Sequence, residues 1–185
     1  MDDATEPEEP KGSPLANACR HEAGHFVVGA FGGLPMRGIL VIAGEKEGEY
    51  GGFVLDLPME AINTEATRKV AMASLLAGEV AEHGTTALDA FSRPSQQDLG
   101  LARGLAVSLG GDAEALLNDA FTVAQDQVAN LTWAIEALAT ALETAKTSEL
   151  GHRSLTAAKA AALIGLEAAR DSTGLIVGYR PPAAS

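Results

Sequence analysis

Cysteine, aromatic residues and basic residues are all scarce in this sequence. Cys19 is the only cysteine, so no intrachain disulfide can form and nothing indicates an oxidising compartment. Lys and Arg number 13 against 25 Asp and Glu, which gives a formal net charge of -12. Because proteins bind nucleic acids and anionic membrane surfaces through Lys and Arg, this negative net charge argues against both as partners.

Long apolar runs are missing as well. No stretch approaches the roughly 18 apolar residues that a membrane-spanning helix needs, and the acidic N-terminus has the wrong charge for a signal peptide. We therefore expect a cytoplasmic protein. The length fits a single domain, and we expect a disordered acidic leader over residues 1–14, one folded domain over residues 15–172 and a loose tail over residues 173–185.

The most informative segment is His21-Glu22-Ala23-Gly24-His25, the H-E-x-x-H pattern that is typical of zinc metallopeptidases. A helix places the two histidines one turn apart on one face, where both imidazoles can bind a single metal ion. Glu22 lies beside that ion, where it can act as a general base on a zinc-bound water. The same pattern also arises by chance around a surface glutamate. The apolar flanks of this helix favour a metal site, because an unpaired polar ring among apolar residues costs free energy.

Apolar periodicity and turn residues predict a mostly α-helical fold with a small β-hairpin. Helices are predicted over residues 15–31, 64–83, 95–109 and 154–171, and an apolar stripe from 121 to 142 is typical of a core or a helix-pair seam. The hairpin strands are predicted over residues 38–43 and 50–55. In the second strand Gly51, Gly52 and Phe53 are candidates for binding a substrate backbone along the strand edge, and a plain edge strand with a bulge is the alternative.

A catalytic zinc ion takes three protein ligands and keeps one open position, so the two histidines need a third ligand from elsewhere in the chain. From spacing alone Glu79, Glu82 and Asp98 are near equals, because a second helix can present any of them to the first. Asp98 also fits a structural role. Together with Ser95 it forms the pattern of a capping box at the start of a helix, and one carboxylate can serve as both cap and ligand.

Several segments resemble the peptidase domain of FtsH-type ATP-dependent zinc metallopeptidases in order and spacing. They are residues 21–28 (HEAGHFVV), 77–82 (AGEVAE) with a glycine at 84, 97–99 (QDL) and 102–103 (AR). A weaker likeness continues through residues 138–143 and 155–156, so that the resemblance covers roughly residues 15–164. It implies a helical, zincin-like metallopeptidase domain with a small sheet.

The resemblance also implies roles for particular residues. It assigns zinc to His21, His25 and Asp98, makes Glu22 the general base, and leaves Glu79 and Glu82 as supporting residues. One departure concerns residues 93–97 (RPSQQ), which stand where the family usually has small residues and Asn before the ligand aspartate. The passage that leads to the site is therefore expected to differ in shape.

A larger departure concerns the modules that accompany this domain. FtsH-type proteins carry a membrane anchor and an ATPase ahead of the peptidase domain, whereas this sequence has neither a spanning segment nor a G-x-x-x-x-G-K-[ST] phosphate loop. We expect an endopeptidase that uses Zn2+ to cleave polypeptides in unfolded or flexible form. The alternative is a zinc-stabilised interaction module, or a protease subunit that depends on a separate ATPase partner. Assembly into a homo-oligomer is left open.

Overall fold

The computed structural model describes residues 12–44, 50–54, 59–92 and 95–182. This part of the chain is mostly helical with a small antiparallel sheet, which confirms the predicted fold class at that level. None of its helices combines the length and the apolarity needed to cross a membrane. The α-helices are α1 (Pro14–Phe31), α2 (Glu65–His83), α3 (Gln96–Leu109), α4 (Ala113–Asn130), α5 (Thr132–Glu143) and α6 (Ala157–Leu163). The strands are β1 (Gly38–Ala43), β2 (Tyr50–Val54), β3 (His152–Thr156), β4 (Glu167–Arg170) and β5 (Ile176–Arg180).

Local sequence determines where the two central helices begin and end. The Ser13 side chain accepts a backbone N–H from the first turn of α1, and Pro14 occupies a position where its missing N–H is not needed. Thr64 and Thr67 cap α2 reciprocally, and Gly84 ends it in the left-handed region with φ of 64°. Ser13 and Pro14, which we assigned to the leader, therefore belong to α1 and its cap. Residues 1–11 of that leader lie outside the described residues.

A glycine allows α1 and α2 to pack very closely. A Cβ placed on Gly24 of α1 would lie 2.7 Å from the carbonyl oxygen of Ala77 and 2.8 Å from the Cβ of Ala81. Real Cβ atoms do not tolerate such distances, so a larger residue would separate the helices. This close approach brings the histidine-bearing face of α1 against the middle of α2.

The predicted hairpin is confirmed, and it forms part of a three-stranded antiparallel sheet in the order β2-β1-β3. The pairing of β1 with β2 is regular from Ile39 with Val54 to Ala43 with Tyr50, so the bulge that we considered is absent from the described pairs. Among these strands β2 lies at the edge. The turn at residues 45–49 and the predicted last strand residue, Leu55, lie outside the described residues.

Two hydrophobic clusters form the core. One joins α1 to β1, β3, α5 and α6, and the other joins α2, α3 and α4. The apolar stripe that we predicted as core or seam is mostly buried within the chain, including Phe121, Leu138 and Leu142. It is not one unbroken helix, because α4 and α5 meet at Leu131.

The prediction for the C-terminal part of the chain was largely wrong. Only Ala157–Leu163 is helical within the helix that we expected over residues 154–171, and strands flank it on both sides. The expected loose tail contains β5, which pairs with β4. Tyr179 of β5 packs its ring edge-on against Phe26 of α1, with the ring centroids 5.8 Å apart. Pairing with β1 and burial of Leu155 make residues 152–156 a strand, whereas the alanine-rich residues 157–163 remain helical. Gly165, with φ of 68°, follows α6.

Candidate metal centre

Three side chains from α1 and α3 converge on one point. His21 and His25 lie one turn apart on α1, and their Nε2 atoms are 3.0 Å from each other. Asp98 lies in the first turn of α3, and its Oδ2 atom is 3.4 Å from Nε2 of His21 and 3.5 Å from Nε2 of His25. The structure thus brings together the three residues that the resemblance singled out as ligands.

The spacing of these three atoms fits a zinc ion. Tetrahedral coordination with bonds of about 2.0–2.1 Å places neighbouring ligand atoms about 3.3–3.4 Å apart. The three observed separations are 3.0, 3.4 and 3.5 Å. Two imidazole nitrogens and one carboxylate oxygen are also donors that zinc accepts. The donor set and its dimensions are therefore compatible with a zinc ion held by three residues.

The outer nitrogen of each imidazole is held by a hydrogen bond. Nδ1 of His21 lies 3.0 Å from Oε2 of Glu82, and Nδ1 of His25 lies 2.7 Å from the carbonyl oxygen of Ser74. Donation from Nδ1 to these oxygens leaves the Nε2 lone pair free and fixes the orientation of each ring. The Ser74 hydroxyl also donates to the carbonyl oxygen of His25 at 2.8 Å, which ties the two helices together at this level.

The backbone of α2 forms the floor of the site at Gly78. A Cβ at this position would lie 2.5 Å from Nε2 of His25 and 2.7 Å from Nε2 of His21. Any side chain here would push both imidazoles away from their present positions. Sequence reasoning did not assign a role to Gly78, although it lies between the resembling residues Ala77 and Glu79.

Glu22 lies between the two histidines in sequence and is buried, with 6% of its surface exposed. Its carboxylate adjoins the backbone of Gly52 in β2, because a Cβ on Gly52 would overlap the carboxylate atoms. Burial raises the pKa of Glu22, and the charges of His25 and His21 partly oppose this effect. Of the other predicted substrate-binding residues, Gly51 faces open space, and the Phe53 side chain lies outside the described part of the structure.

The charges around His21 favour a cation at the site. Burial alone would lower the pKa of His21, but its hydrogen bonds with Asp98 and Glu82 and the charge of Glu22 raise it to about 10. Burial would raise the pKa of Asp98, and its hydrogen bonds with the two histidines hold it well below its usual range instead. Acids that stabilise a proton on an imidazole also stabilise a metal cation in its place.

Ser95 does not cap α3 in the predicted way. Its side chain makes no capping hydrogen bond, so the expected capping box is wrong, and the Asp98 carboxylate faces the two histidines instead. The reason lies in the tertiary structure, because the Ser95 side chain is buried and its hydroxyl contacts the Ser92 hydroxyl at 3.3 Å instead.

Glu79 and Glu82 occupy different places in α2. The Glu82 carboxylate contacts His21, as described above, whereas Glu79 contacts the segment that follows α2. Both could join His21 in a second group whose ligand atoms lie within 4.8 Å of one another. Of the two groups found among the described residues, the one formed by His21, His25 and Asp98 includes both histidines.

No model of a known protein family matches this chain, and no curated protein matches it significantly.

Proposed function

We propose that this chain is a zinc-dependent endopeptidase of the zincin type that hydrolyses peptide bonds in unfolded or flexible polypeptides. The observation that carries the proposal is the convergence of His21, His25 and Asp98 at zinc-like separations. Glu22, the next residue after His21, supplies a buried carboxylate at the same place. When bound, a zinc ion would supply a Lewis acid that polarises the scissile carbonyl and lowers the pKa of the attacking water.

In this proposal Glu22 moves the proton. Its carboxylate takes a proton from the water as the water oxygen bonds to the carbonyl carbon. It then delivers that proton to the amide nitrogen as the C–N bond breaks, so that a carboxylic acid and an amine are released. Burial raises the pKa of Glu22, which makes its carboxylate a better proton acceptor than an exposed one.

The position of β2 supports an extended substrate. Among the described strands β2 is an edge strand, and its Gly52 adjoins the Glu22 carboxylate. An extended polypeptide that paired with this edge would run past the general base and the metal ligands. In folded regions the backbone groups are already paired and packed, so unfolded segments and flexible tails are the proposed substrates.

The alternative, a zinc-stabilised interaction module, has less support. Its motives were the missing ATPase and the apolar stripe over residues 121–142, which could serve an oligomer or a partner helix, yet most of that stripe is buried in the core of this chain. A purely structural zinc site also has four protein ligands and no use for a base such as Glu22. Dependence on a separate ATPase partner concerns how a substrate reaches the site and is compatible with the same chemistry.

The experiment that tests the proposal is cleavage of a permanently unfolded protein by the zinc-loaded chain without ATP. Glu22→Gln, run in parallel, keeps the shape of the side chain and removes the base. We expect cleavage by the parent, none by Glu22→Gln, and one zinc ion per chain in both. Equal cleavage by the two would refute the mechanism. Zinc binding without cleavage by either would favour the interaction module or the ATPase-dependent subunit.

A further inference from the structure

Glu79 is a buried acid that the proposed chemistry does not use. Only 1% of its surface is exposed, and it lies on α2 next to Gly78, the floor of the metal site. A buried carboxylate is costly unless hydrogen bonds compensate for its lost hydration. Its partners therefore indicate what it does.

Those partners all come from the segment between α2 and α3. Oε1 of Glu79 accepts hydrogen bonds from the Thr85 hydroxyl at 3.1 Å and from the Ser92 backbone N–H at 2.9 Å. Oε2 accepts one from the Ser92 hydroxyl at 2.7 Å, and the same Ser92 hydroxyl lies 3.3 Å from the Ser95 hydroxyl. Hydrogen bonds to a charged group are stronger than neutral ones, so this carboxylate anchors the segment firmly.

The anchored segment leads directly into the helix that carries Asp98. Ser95 is 1% exposed and immediately precedes α3, and Asp98 follows three residues later in the first turn. The backbone N–H of Leu99 bonds to the carbonyl oxygen of Ser95 at 3.1 Å. A shift of Ser95 would therefore be passed on to the first turn of α3 and to the Asp98 carboxylate.

We propose that Glu79 is a positioning residue that sets the third metal ligand, Asp98, at its distance from the two histidines; this inference rests on the ligand set of the proposed function. Helix α2 then orients all three ligands. It holds His21 through Glu82, His25 through the carbonyl of Ser74, and Asp98 through Glu79 and the segment that Glu79 anchors.

A competing role for Glu79 is direct metal binding with His21 and Glu82, since ligand atoms of the three lie within 4.8 Å of one another. The hydrogen bonds argue against it. Both carboxylate oxygens of Glu79 already accept bonds from Thr85 or Ser92, and a metal ion would have to displace them. The two roles predict different behaviour when the carboxylate is replaced by an amide.

Zinc affinity of the full chain, measured by competition with a chromophoric chelator, tests the proposal. We expect Glu79→Ala to weaken zinc binding about tenfold or more, the range seen when groups that orient ligands are removed. Glu79→Gln should bind zinc nearly as the parent does, because its oxygen still accepts and its amide can donate to a serine hydroxyl that rotates. Glu65→Ala removes an exposed acid from the same helix and should leave zinc affinity unchanged.

Ser92→Ala is a milder variant, which keeps the proposal testable if Glu79→Ala fails to fold. It removes one donor to Glu79 and should weaken zinc binding in the same direction. Combining it with Glu79→Ala should add little further loss, because both act through one contact. Circular dichroism and thermal unfolding of each zinc-free variant separate loss of affinity from loss of folding.

Two results would overturn the positioning role. Equal loss of zinc binding in Glu79→Gln and Glu79→Ala would indicate a direct ligand, and unchanged binding in a folded Glu79→Ala would indicate a structural role only. Asp98→Ala, measured alongside, tests the ligand set itself. Unchanged affinity in Asp98→Ala would refute the ligand set, whereas a loss there with no loss in Glu79→Ala would refute the positioning role alone.

Discussion

The Glu22 carboxylate lies against the backbone of Gly52, so that strand β2 and the proposed general base are in direct contact. We expect Gly52→Ala to lower kcat/KM for an unfolded substrate at least about tenfold, because displacing a reacting group by about 1 Å can cost a hundredfold in rate. Zinc affinity should stay nearly unchanged, since the three atoms nearest to a Cβ on Gly52 all belong to Glu22 and none to a proposed ligand. Peptidase kinetics and chelator competition on the same samples measure both quantities.

Gly51→Ala is the matched control for this substitution. A Cβ on Gly51 would meet nothing within 4 Å, and Gly51 is exposed in the same strand. Its kcat should therefore stay close to that of the parent, and any change should fall on KM, because Gly51 lies on the strand edge that is proposed to receive the substrate. If both variants lose activity equally, the effect belongs to the strand in general, and the contact between Gly52 and Glu22 has no special role.

A second prediction concerns Gly78, the floor of the proposed metal site. Gly78→Ala places a methyl group 2.5 Å from Nε2 of His25, so both histidines must move. We expect zinc affinity to fall about tenfold or more and the protein to lose about 1–3 kcal/mol of unfolding free energy through overpacking. Gly100→Ala in α3, where a Cβ meets nothing within 4 Å, should leave zinc binding unchanged and raise stability by about 0.5–1 kcal/mol. Unchanged zinc binding in Gly78→Ala would contradict the observed packing.

Local signals in the sequence accounted for the N-terminal elements well. Apolar periodicity and the glycines that follow each helix predicted α1 and α2 to within a residue, whereas the caps at Ser13 and Thr64 were not recognised. Strand β3 was missed because Leu155 pairs with Ile39, a contact across more than a hundred residues that no local pattern reveals.

For the candidate site, too, the sequence predicted what depends on local structure and left open what depends on the packing of helices. The histidine pair follows from helical periodicity alone, whereas spacing left Glu79, Glu82 and Asp98 as equal candidates for the third ligand. The choice depends on how α2 and α3 are turned against α1, which is tertiary information. Gly78 was missed for the same reason, because its contacts with the two histidines depend on how α2 packs against α1.

The zinc-free protein should show a pH dependence of stability that depends on Glu79. Hydrogen bonds from Ser95 and Ser92 lower the pKa of Glu79 below its ordinary value of 4.5, although burial opposes them. A lowered pKa in the folded state contributes stability above the unfolded pKa, and this stability is lost as the pH falls below about 4.5. In Glu79→Gln the fall in unfolding free energy on acidification should be shallower than in the parent. Urea unfolding at several pH values below 6 measures this difference, and parallel curves would contradict it.

The last prediction concerns the hydrogen bond between Glu82 and His21. Because Oε2 of Glu82 lies 3.0 Å from Nδ1 of His21 and orients that ligand, Glu82→Ala should weaken zinc binding about 10- to 100-fold. Glu82→Gln should lose less, since its amide oxygen can still accept the Nδ1 proton. His83→Ala is the control. It removes the contact of His83 with Oε1 of Glu82 at 3.3 Å and keeps the bond between Oε2 and His21, so it should leave zinc binding unchanged. Chelator competition ranks the zinc affinities of the three variants. If Glu82→Ala binds zinc as tightly as the parent, His21 is oriented by other contacts.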